Sequence, residues 1–179
     1  MRPMKPDPGI RVQAVLIPTE NSGMSALLLS PLAAPKNAAG ILWLHGGGYI
    51  AGMKEMVHAS RAIDLVKKFG VAVLSPGYRL ALKAPYPAAI DDCYAALLYL
   101  KAHAAAFGVR SDQLMVGGES AGVPAELDVY HSDMHAFDMM RPDDVLSIQA
   151  AEAFNTRFAD AQARFFTPQH EIQEEHHDS

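Results

Sequence analysis

One segment restricts the possible folds of this chain more than any other. Residues 40–45 read G-I-L-W-L-H, a continuous apolar run that leads directly into three glycines. A strand of this composition has no polar face, so it must be covered on both sides, as the strands of parallel sheets are. Strand and helix patterns alternate along the chain after this point, which predicts an α/β fold with a mostly parallel, doubly wound sheet.

Four further strands are expected around this central one. Alternation over residues 10–18 predicts one strand and S-A-L-L-L-S-P at 25–31 predicts a second; the turn residues T-E-N-S-G between them make an N-terminal hairpin. V-A-V-L-S-P at 71–76 and Q-L-M-V-G-G at 113–118 predict two more strands. The predicted sheet therefore has five strands up to Gly118.

Three helices are expected between and after these strands. The first covers 56–69 and ends at Gly70. The second follows Pro87 and stops at Gly108; Ile90, Tyr94, Leu97 and Lys101 fall on related turns of it, and Asp91 and Asp92 lie in its first turns, where the helix dipole favours negative charge. Asp143 or Asp144 can cap the third helix. Its predicted apolar positions are Val145, Ile148, Ala151, Phe154, Phe158, Ala161 and Phe165.

Charge and composition exclude several classes of partner. The net charge of −5 gives no reason to expect nucleic acid or an anionic membrane as partner. The first residues, M-R-P-M-K-P-D-P-G, lack the apolar core of a secretory signal, and no apolar run is long enough to span a bilayer. Cys93 is the single cysteine, so an internal disulfide is impossible, and we expect a reducing, cytoplasmic location. Without a basic neighbour, Cys93 is interpreted as a core residue of a helix rather than a nucleophile.

Two short motifs carry the predicted chemistry. Residues 118–122, G-E-S-A-G, follow a buried strand as a nucleophile elbow does, a sharp turn that lifts the hydroxyl of Ser120 above the sheet. Residues 45–48, H-G-G-G, leave backbone N–H groups that, with the N–H of Ala121, could surround a developing oxyanion. Each motif alone also occurs in ordinary turns. Their order on two central strands favours a hydrolase site.

Several stretches together resemble one known family. They are H-G-G-G-Y at 45–49, Y-R-L-A at 78–81, P-Y-P-A-A-I-D-D at 85–92, G-G-E-S-A-G at 117–122 and H-A-F-D at 135–138. Over about residues 10 to 166, the chain resembles the α/β-hydrolases of the hormone-sensitive-lipase-like esterase group, also called alpha/beta hydrolase fold-3. The resemblance implies serine-dependent hydrolysis of carboxylic esters, with a small-molecule acyl ester as substrate and without metal or cofactor. A lipase or an amidase acting on related acyl substrates is the alternative enzyme.

The resemblance also implies roles for individual residues. Ser120 would be the nucleophile and His135 its general base. The implied oxyanion hole consists of Gly46, Gly47, Gly48 and Ala121. His45 would shape the loop, Tyr78 and Arg79 would be structural, and Glu119 is the acidic neighbour this group commonly has before its serine, not the triad acid. The chain departs from the family pattern at Gly77, where an aspartate is usual, and at Leu82 and Lys83, where proline and glutamate are usual.

A larger departure follows the elbow. In the family, a helix and further strand–helix units separate the serine from a last strand that reads much like G-V-P-A-E-L-D-V-Y, which here stands at 122–130. At about 30 residues per strand–helix–strand unit, several units are absent, leaving a truncated α/β-hydrolase fold. Only four residues separate Ser120 from the strand expected near Ala125, whereas a parallel crossover needs about a dozen.

The expected consequence is a displaced general base. The last strand could turn back antiparallel, form a helix after Pro124 or pair with another molecule. Closing a gap of two strands, spaced about 4.8 Å apart, would move the histidine loop by roughly 10 Å, yet a base must come within about 3 Å of the serine oxygen. The edge of the serine strand would be exposed, which predicts self-association through that edge.

The triad acid has no clear candidate in the sequence. Asp138, three residues after His135, could serve only in an unusual local turn and is otherwise a loop or cap residue. His170, His176 and His177, with the nearby glutamates, could bind a metal but are better interpreted as a solvated tail.

The domain expected from these features covers residues 1–169, with the elbow-bearing half at 10–122, the last strand, histidine loop and helix at 123–166, and a polar tail at 170–179. Two hypotheses stay open: a carboxylesterase-type hydrolase, and a catalytically impaired remnant with a structural or self-associating role.

Overall fold

The computed structural model describes residues 4–19, 23–119 and 141–165, with the side chains of the last helix described up to residue 163. Its strands are β1 (Ile10–Pro18), β2 (Gly23–Pro31), β3 (Ala38–Leu44), β4 (Ala72–Pro76) and β5 (Val109–Gly118). Its α-helices are α1 (Ala62–Phe69), α2 (Ala88–Ala102) and α3 (Val145–Phe165). A first 3-10 helix covers Lys54–Ala59 and a second covers Ala105–Phe107.

The five strands form one sheet in the order β1-β2-β4-β3-β5. β3 lies parallel to both of its neighbours, β4 and β5, as its uniformly apolar sequence predicts. β1 and β2 form the predicted antiparallel hairpin, and β2 joins the parallel strands through antiparallel pairing with β4. Parallel pairing is therefore confined to the three strands β4, β3 and β5.

Both faces of the sheet are covered, as a doubly wound fold requires. Successive side chains of a strand point to opposite faces. Leu42 and Leu44 belong to the apolar cluster that contains Ala96 and Leu100 of α2. Ile41 and Trp43 belong to the cluster that contains the buried side chains of α1 and Phe158 of α3. The helices therefore lie on the two sides of β3, which confirms the predicted α/β class with a doubly wound sheet.

The first helix differs from the prediction. The expected continuous helix over 56–69 is divided into the first 3-10 helix and α1. Ser60 makes the division, because its hydroxyl donates to the Val57 carbonyl at 2.8 Å while its Oγ accepts from the Ala62 N–H at 3.1 Å. A serine with these local bonds competes with a continuous helix. The predicted end is confirmed, since Gly70 follows α1 in the left-handed region at φ 67°.

α2 has apolar residues on more than one face. Its buried positions include Ala89, Ala96 and Leu100. The predicted positions Ile90 and Tyr94 are instead 52% and 61% exposed. α2 ends at Ala102, six residues before the predicted stop at Gly108. The second 3-10 helix follows it, and Gly108 ends that turn at φ 69°.

α3 begins as predicted but presents a different face in its first turns. It starts directly after Asp144, whose carbonyl accepts from the Ile148 N–H at 3.0 Å. Val145 and Ile148 are 72% and 46% exposed, because buried Ser147 is the residue that faces inward here. Further along, Phe158 is buried as expected.

No helix within the described ranges 4–19, 23–119 and 141–165 is long and apolar enough to cross a membrane.

Candidate functional site

The three glycines after β3 form a tight turn at the end of the sheet. Gly46 is buried, while Gly47 and Gly48 are exposed. The Gly47 carbonyl accepts hydrogen bonds from the N–H groups of Ile50 and Ala51, both at 3.1 Å. Gly47 has φ 118°, and a Cβ on it would overlap the Ala51 carbonyl, so only glycine fits this position.

The backbone N–H groups of this turn are the donors that the sequence predicts for an oxyanion hole. Within the described residues, Gly46, Gly47 and Gly48 donate to no backbone carbonyl outside regular helices and strands. Backbone N–H groups that converge on one point are the means by which hydrolases stabilise an oxyanion. The predicted oxyanion role of the three glycines is compatible with this geometry and stays a prediction.

The end of β5 lies beside the glycine turn. Leu44 pairs with Gly118, and the Glu119 N–H continues the pairing by donating to the Leu44 carbonyl at 3.1 Å. A Cβ on Gly118 would lie only 2.6 Å from that carbonyl oxygen, so a glycine is needed for this approach. The residue before Ser120 is thus held next to the residue before His45.

The other predicted catalytic residues lie outside the described residues. They are Ser120, Ala121 and His135, together with the candidate acid Asp138, the expected last strand at 122–130 and the tail histidines. The structure therefore brings together the glycine turn and the start of the elbow, and it does not test the remaining positions.

His45 is an internal brace of the turn. It is 1% exposed, and its Nδ1 lies 2.9 Å from the Gly46 carbonyl oxygen. Because a carbonyl only accepts, Nδ1 must carry the hydrogen, which assigns the tautomer. Burial lowers the pKa of His45, only partly opposed by the bond to Gly46 and by Glu55, so the ring is neutral near pH 7. This supports the prediction that His45 shapes the loop.

Tyr78 holds His45 from a second loop. Its hydroxyl donates to the His45 carbonyl at 2.7 Å, and its ring stacks on the imidazole with centroids 4.1 Å apart at an interplanar angle of 8°. Tyr78 is 4% exposed, and burial raises its pKa to about 12. The loop is tied further by the Ala81 N–H, which donates to the Tyr49 carbonyl at 2.7 Å. The sequence identified Tyr78 as structural, but not its partner.

Arg79 is fixed by Asp92 of α2. Its Nε and Nη2 donate to the two carboxylate oxygens at 2.9 Å and 2.8 Å, and its backbone N–H also donates to the carboxylate at 2.8 Å. Asp92 is 4% exposed, whereas its neighbour Asp91 is exposed. The prediction assigned both aspartates to the helix dipole; Asp92 instead anchors the loop that carries Tyr78. The signal that could have indicated this ion pair was the presence of two adjacent acidic residues in the helix that follows Arg79.

Cys93 has the surroundings of a structural residue. It is half-buried and packs against the core cluster shared by α2 and the sheet. Burial raises the pKa of its thiol to about 12, with a smaller contribution from Asp92. A thiol with this pKa is not a nucleophile at neutral pH. Among the described residues, no group of three or more histidines, cysteines or carboxylates could hold a metal ion.

Comparison with known proteins identifies the fold and its relatives. A family model described as alpha/beta hydrolase fold matches residues 41–129. Hormone-sensitive lipase from Bos taurus is 32% identical over 96 residues, 54% of this chain and 13% of that protein. Ethyl acetate hydrolase from Pseudomonas putida is 39% identical over 84 residues, 47% of this chain and 26% of that protein.

The solved structures give the same result. Bacterial heroin esterase superposes with a TM-score of 0.57 at 29% identity, covering 62% of this chain and 35% of that one. The chain thus spans 13% to 35% of the length of these three relatives. The chain therefore has the alpha/beta hydrolase fold, and the proteins to which it is similar include esterases and lipases.

Proposed function

We propose that this chain acts on small-molecule carboxylic esters through an acyl-enzyme formed on Ser120. The Ser120 oxygen attacks the ester carbonyl carbon and its proton passes to the imidazole of His135. The alcohol then leaves with that proton, and water hydrolyses the acyl-enzyme by the reverse transfers. The N–H groups of Gly46, Gly47, Gly48 and Ala121 stabilise the charge on the carbonyl oxygen. The proposed reaction uses no metal or cofactor.

One observation carries this proposal. The hydrogen bond from the Glu119 N–H to the Leu44 carbonyl, at 3.1 Å, continues the pairing of β3 and β5 to the last residue before Ser120. An elbow serine acts with an oxyanion turn only when the two backbones lie side by side. The relatives' names, among them ethyl acetate hydrolase and hormone-sensitive lipase, support an ester as the substrate class.

A second candidate, a remnant that does not turn over esters, is favoured by a different observation. The segment 122–130 follows Ser120 directly, and the chain spans 35% of the length of bacterial heroin esterase. Under this candidate, Ser120 and the glycine turn persist while His135 lies too far away to take the proton.

Hydrolysis of a short-chain nitrophenyl ester separates the two candidates. The chain and its Ser120→Ala variant are purified and assayed side by side, with His135→Ala as a third sample. We expect turnover in the parent chain and its loss in both variants. Equal, trace rates in all three samples would overturn the hydrolase and support the remnant.

Two further predictions concern self-association and cellular location. Within the described residues, β5 pairs with β3 alone, so its second edge supports the prediction that the chain self-associates through β5. The cytoplasmic location rests on the single cysteine and also stays a prediction.

A further inference from the structure

The outer face of α2 is apolar and exposed. Ile90, Tyr94 and Leu98 recur at every fourth position and are 52%, 61% and 48% exposed. Residues four apart lie on one side of a helix, so the three side chains form one continuous stripe. The opposite side of α2 is already buried through Ala96 and Leu100. A helix that is apolar on both sides is normally covered on both.

A groove runs beside this stripe. It has a volume of about 940 Å³ and lies between α2 and the β1–β2 hairpin. Tyr94, Ala95 and Leu98 form one wall, and Pro18 and Met24 contribute to the other. The space is large enough to receive side chains of a helix laid along the stripe.

The charges at the two ends of the stripe indicate what covers it. Asp91 and Lys101 are both exposed and stand one near each end of α2. Ten residues of helix place them about 15 Å apart along the axis. When two α2 helices lie antiparallel, Asp91 of each copy comes opposite Lys101 of the other, and the two helix dipoles are opposed as well. A parallel arrangement places like charges together.

We propose that the stripe Ile90, Tyr94 and Leu98 is the contact surface for a second copy of this chain. The two α2 helices pack antiparallel about a two-fold axis that passes between Tyr94 and Leu98, so that Tyr94 of each copy lies opposite Leu98 of the other and each groove receives side chains of the partner helix. A surface that is complementary to itself closes a dimer in this way. This surface is separate from the edge of β5, and it does not depend on ester hydrolysis.

Sedimentation velocity over a wide range of protein concentrations tests the proposal on the whole chain. We expect a reversible dimer, and Tyr94→Asp raises its dissociation constant at least about tenfold, because a charge is buried in the apolar contact. Leu32→Asp is the matched control, since Leu32 is 57% exposed and lies outside α2. Val116→Asp, a change at a 42% exposed residue of β5, tests the sheet edge separately. Leu32→Asp should leave the dissociation constant unchanged, whereas a constant raised by Val116→Asp alone would assign the association to the edge of β5.

Charge exchange tests the antiparallel geometry. Asp91→Lys and Lys101→Glu each replace two attractive pairs of the dimer by two repulsive ones, so each raises the dissociation constant about tenfold. The double variant restores opposite charges and should return the constant to near the parental value. Circular dichroism melting on each variant verifies that α2 has folded.

The proposal is overturned by a parent chain that stays monomeric at every concentration, or by a dimer that survives Tyr94→Asp but dissociates with Val116→Asp. A double charge variant that is weaker than both single variants would equally contradict the antiparallel pairing.

Discussion

Tyr78 connects the loop after β4 to the glycine turn after β3 through one hydroxyl group. Its O–H donates to the His45 carbonyl, and both residues are almost fully buried. A buried carbonyl that loses its donor retains the desolvation penalty without the compensating bond. The hydroxyl therefore stabilises the backbone from which the proposed oxyanion turn begins.

Tyr78→Phe is expected to lower the free energy of unfolding by about 1–2 kcal/mol, since the ring stack stays but the hydrogen bond is lost. Urea denaturation measures the change. Tyr86→Phe is the matched control, because Tyr86 is 83% exposed, and it should have no measurable effect. Equal stability of the Tyr78 variant and the parent would show that the bond does not brace the turn.

The buried histidines make stability depend on pH. Burial lowers the pKa of both His45 and His58 below the ordinary 6.5, with Glu55 opposing this in each case. Below pH 6.5 the unfolded chain therefore binds protons that the folded chain resists. The two neutral histidines contribute fully to the free energy of unfolding above pH 6.5. This contribution is lost as the pH falls from 6.5 through their lowered pKa values, at no more than about 1.4 kcal/mol per pH unit for each histidine.

Thermal unfolding measured from neutral to mildly acidic pH checks this. His58→Leu should flatten the decline, because it removes one of the two imidazoles. Val57→Ala, at the neighbouring buried position, should lower stability equally at every pH. A parent chain whose melting temperature stays constant as the pH falls through 6.5 would contradict the account.

At the residue scale, the short motifs were easier to identify in the sequence than the side-chain contacts that hold them in place. The glycine turn was identifiable because H-G-G-G follows one buried strand and G-E-S-A-G follows another, although each motif alone also occurs in ordinary turns. Tyr78 and Asp92 were not identified as braces, because their partners His45 and Arg79 stand 33 and 13 residues away, and a single sequence does not show such contacts.

The elements show where periodicity is sufficient and where it fails. β3 and β4 were predictable as strands because a uniformly apolar run is typical of a parallel strand that is covered on both faces. Helix existence was also predictable. The inward face of α2 was not, because Ile90 and Tyr94 have the same apolar character as the residues that are buried.

α3 is fixed to the sheet by its aromatic residues rather than by its first turns. Phe158 packs on Phe69 of α1 with ring centroids 4.9 Å apart, and Phe154 contacts Trp43 of β3 at 6.3 Å. We expect Phe158→Ala to lower the free energy of unfolding by about 3 kcal/mol or more, as removal of a buried aromatic ring leaves a cavity.

The control for this change is Ile148→Ala, because Ile148 belongs to the same helix and is 46% exposed. Its effect should stay below about 0.5 kcal/mol. If the two variants were equally stable in urea, α3 would not be docked through Phe158.

At the scale of the whole molecule, the described sheet brings the glycine turn and the strand before Ser120 together. The order β1-β2-β4-β3-β5 places the strand before Ser120 at one side of the described sheet, next to β3 and its glycine turn. The sequence predicted this juxtaposition from two motifs on two strands. It could not predict how residues after Ser120 are arranged, since the spacing to 122–130 fits no ordinary crossover.

The most direct test of the central claim is covalent labelling of the chain by a nitrophenyl phosphonate, followed by mass spectrometry. A phosphonate mimics the tetrahedral acyl intermediate, so a serine set beside an oxyanion turn displaces the nitrophenolate and keeps the phosphonyl group. Ser111, exposed on β5, provides the matched control through Ser111→Ala.

We predict one phosphonyl group per chain, on Ser120, that is retained in Ser111→Ala, absent in Ser120→Ala and formed more slowly in Gly47→Ala. Labelling at the level of the urea-unfolded chain, or labelling that persists in Ser120→Ala, would contradict the account.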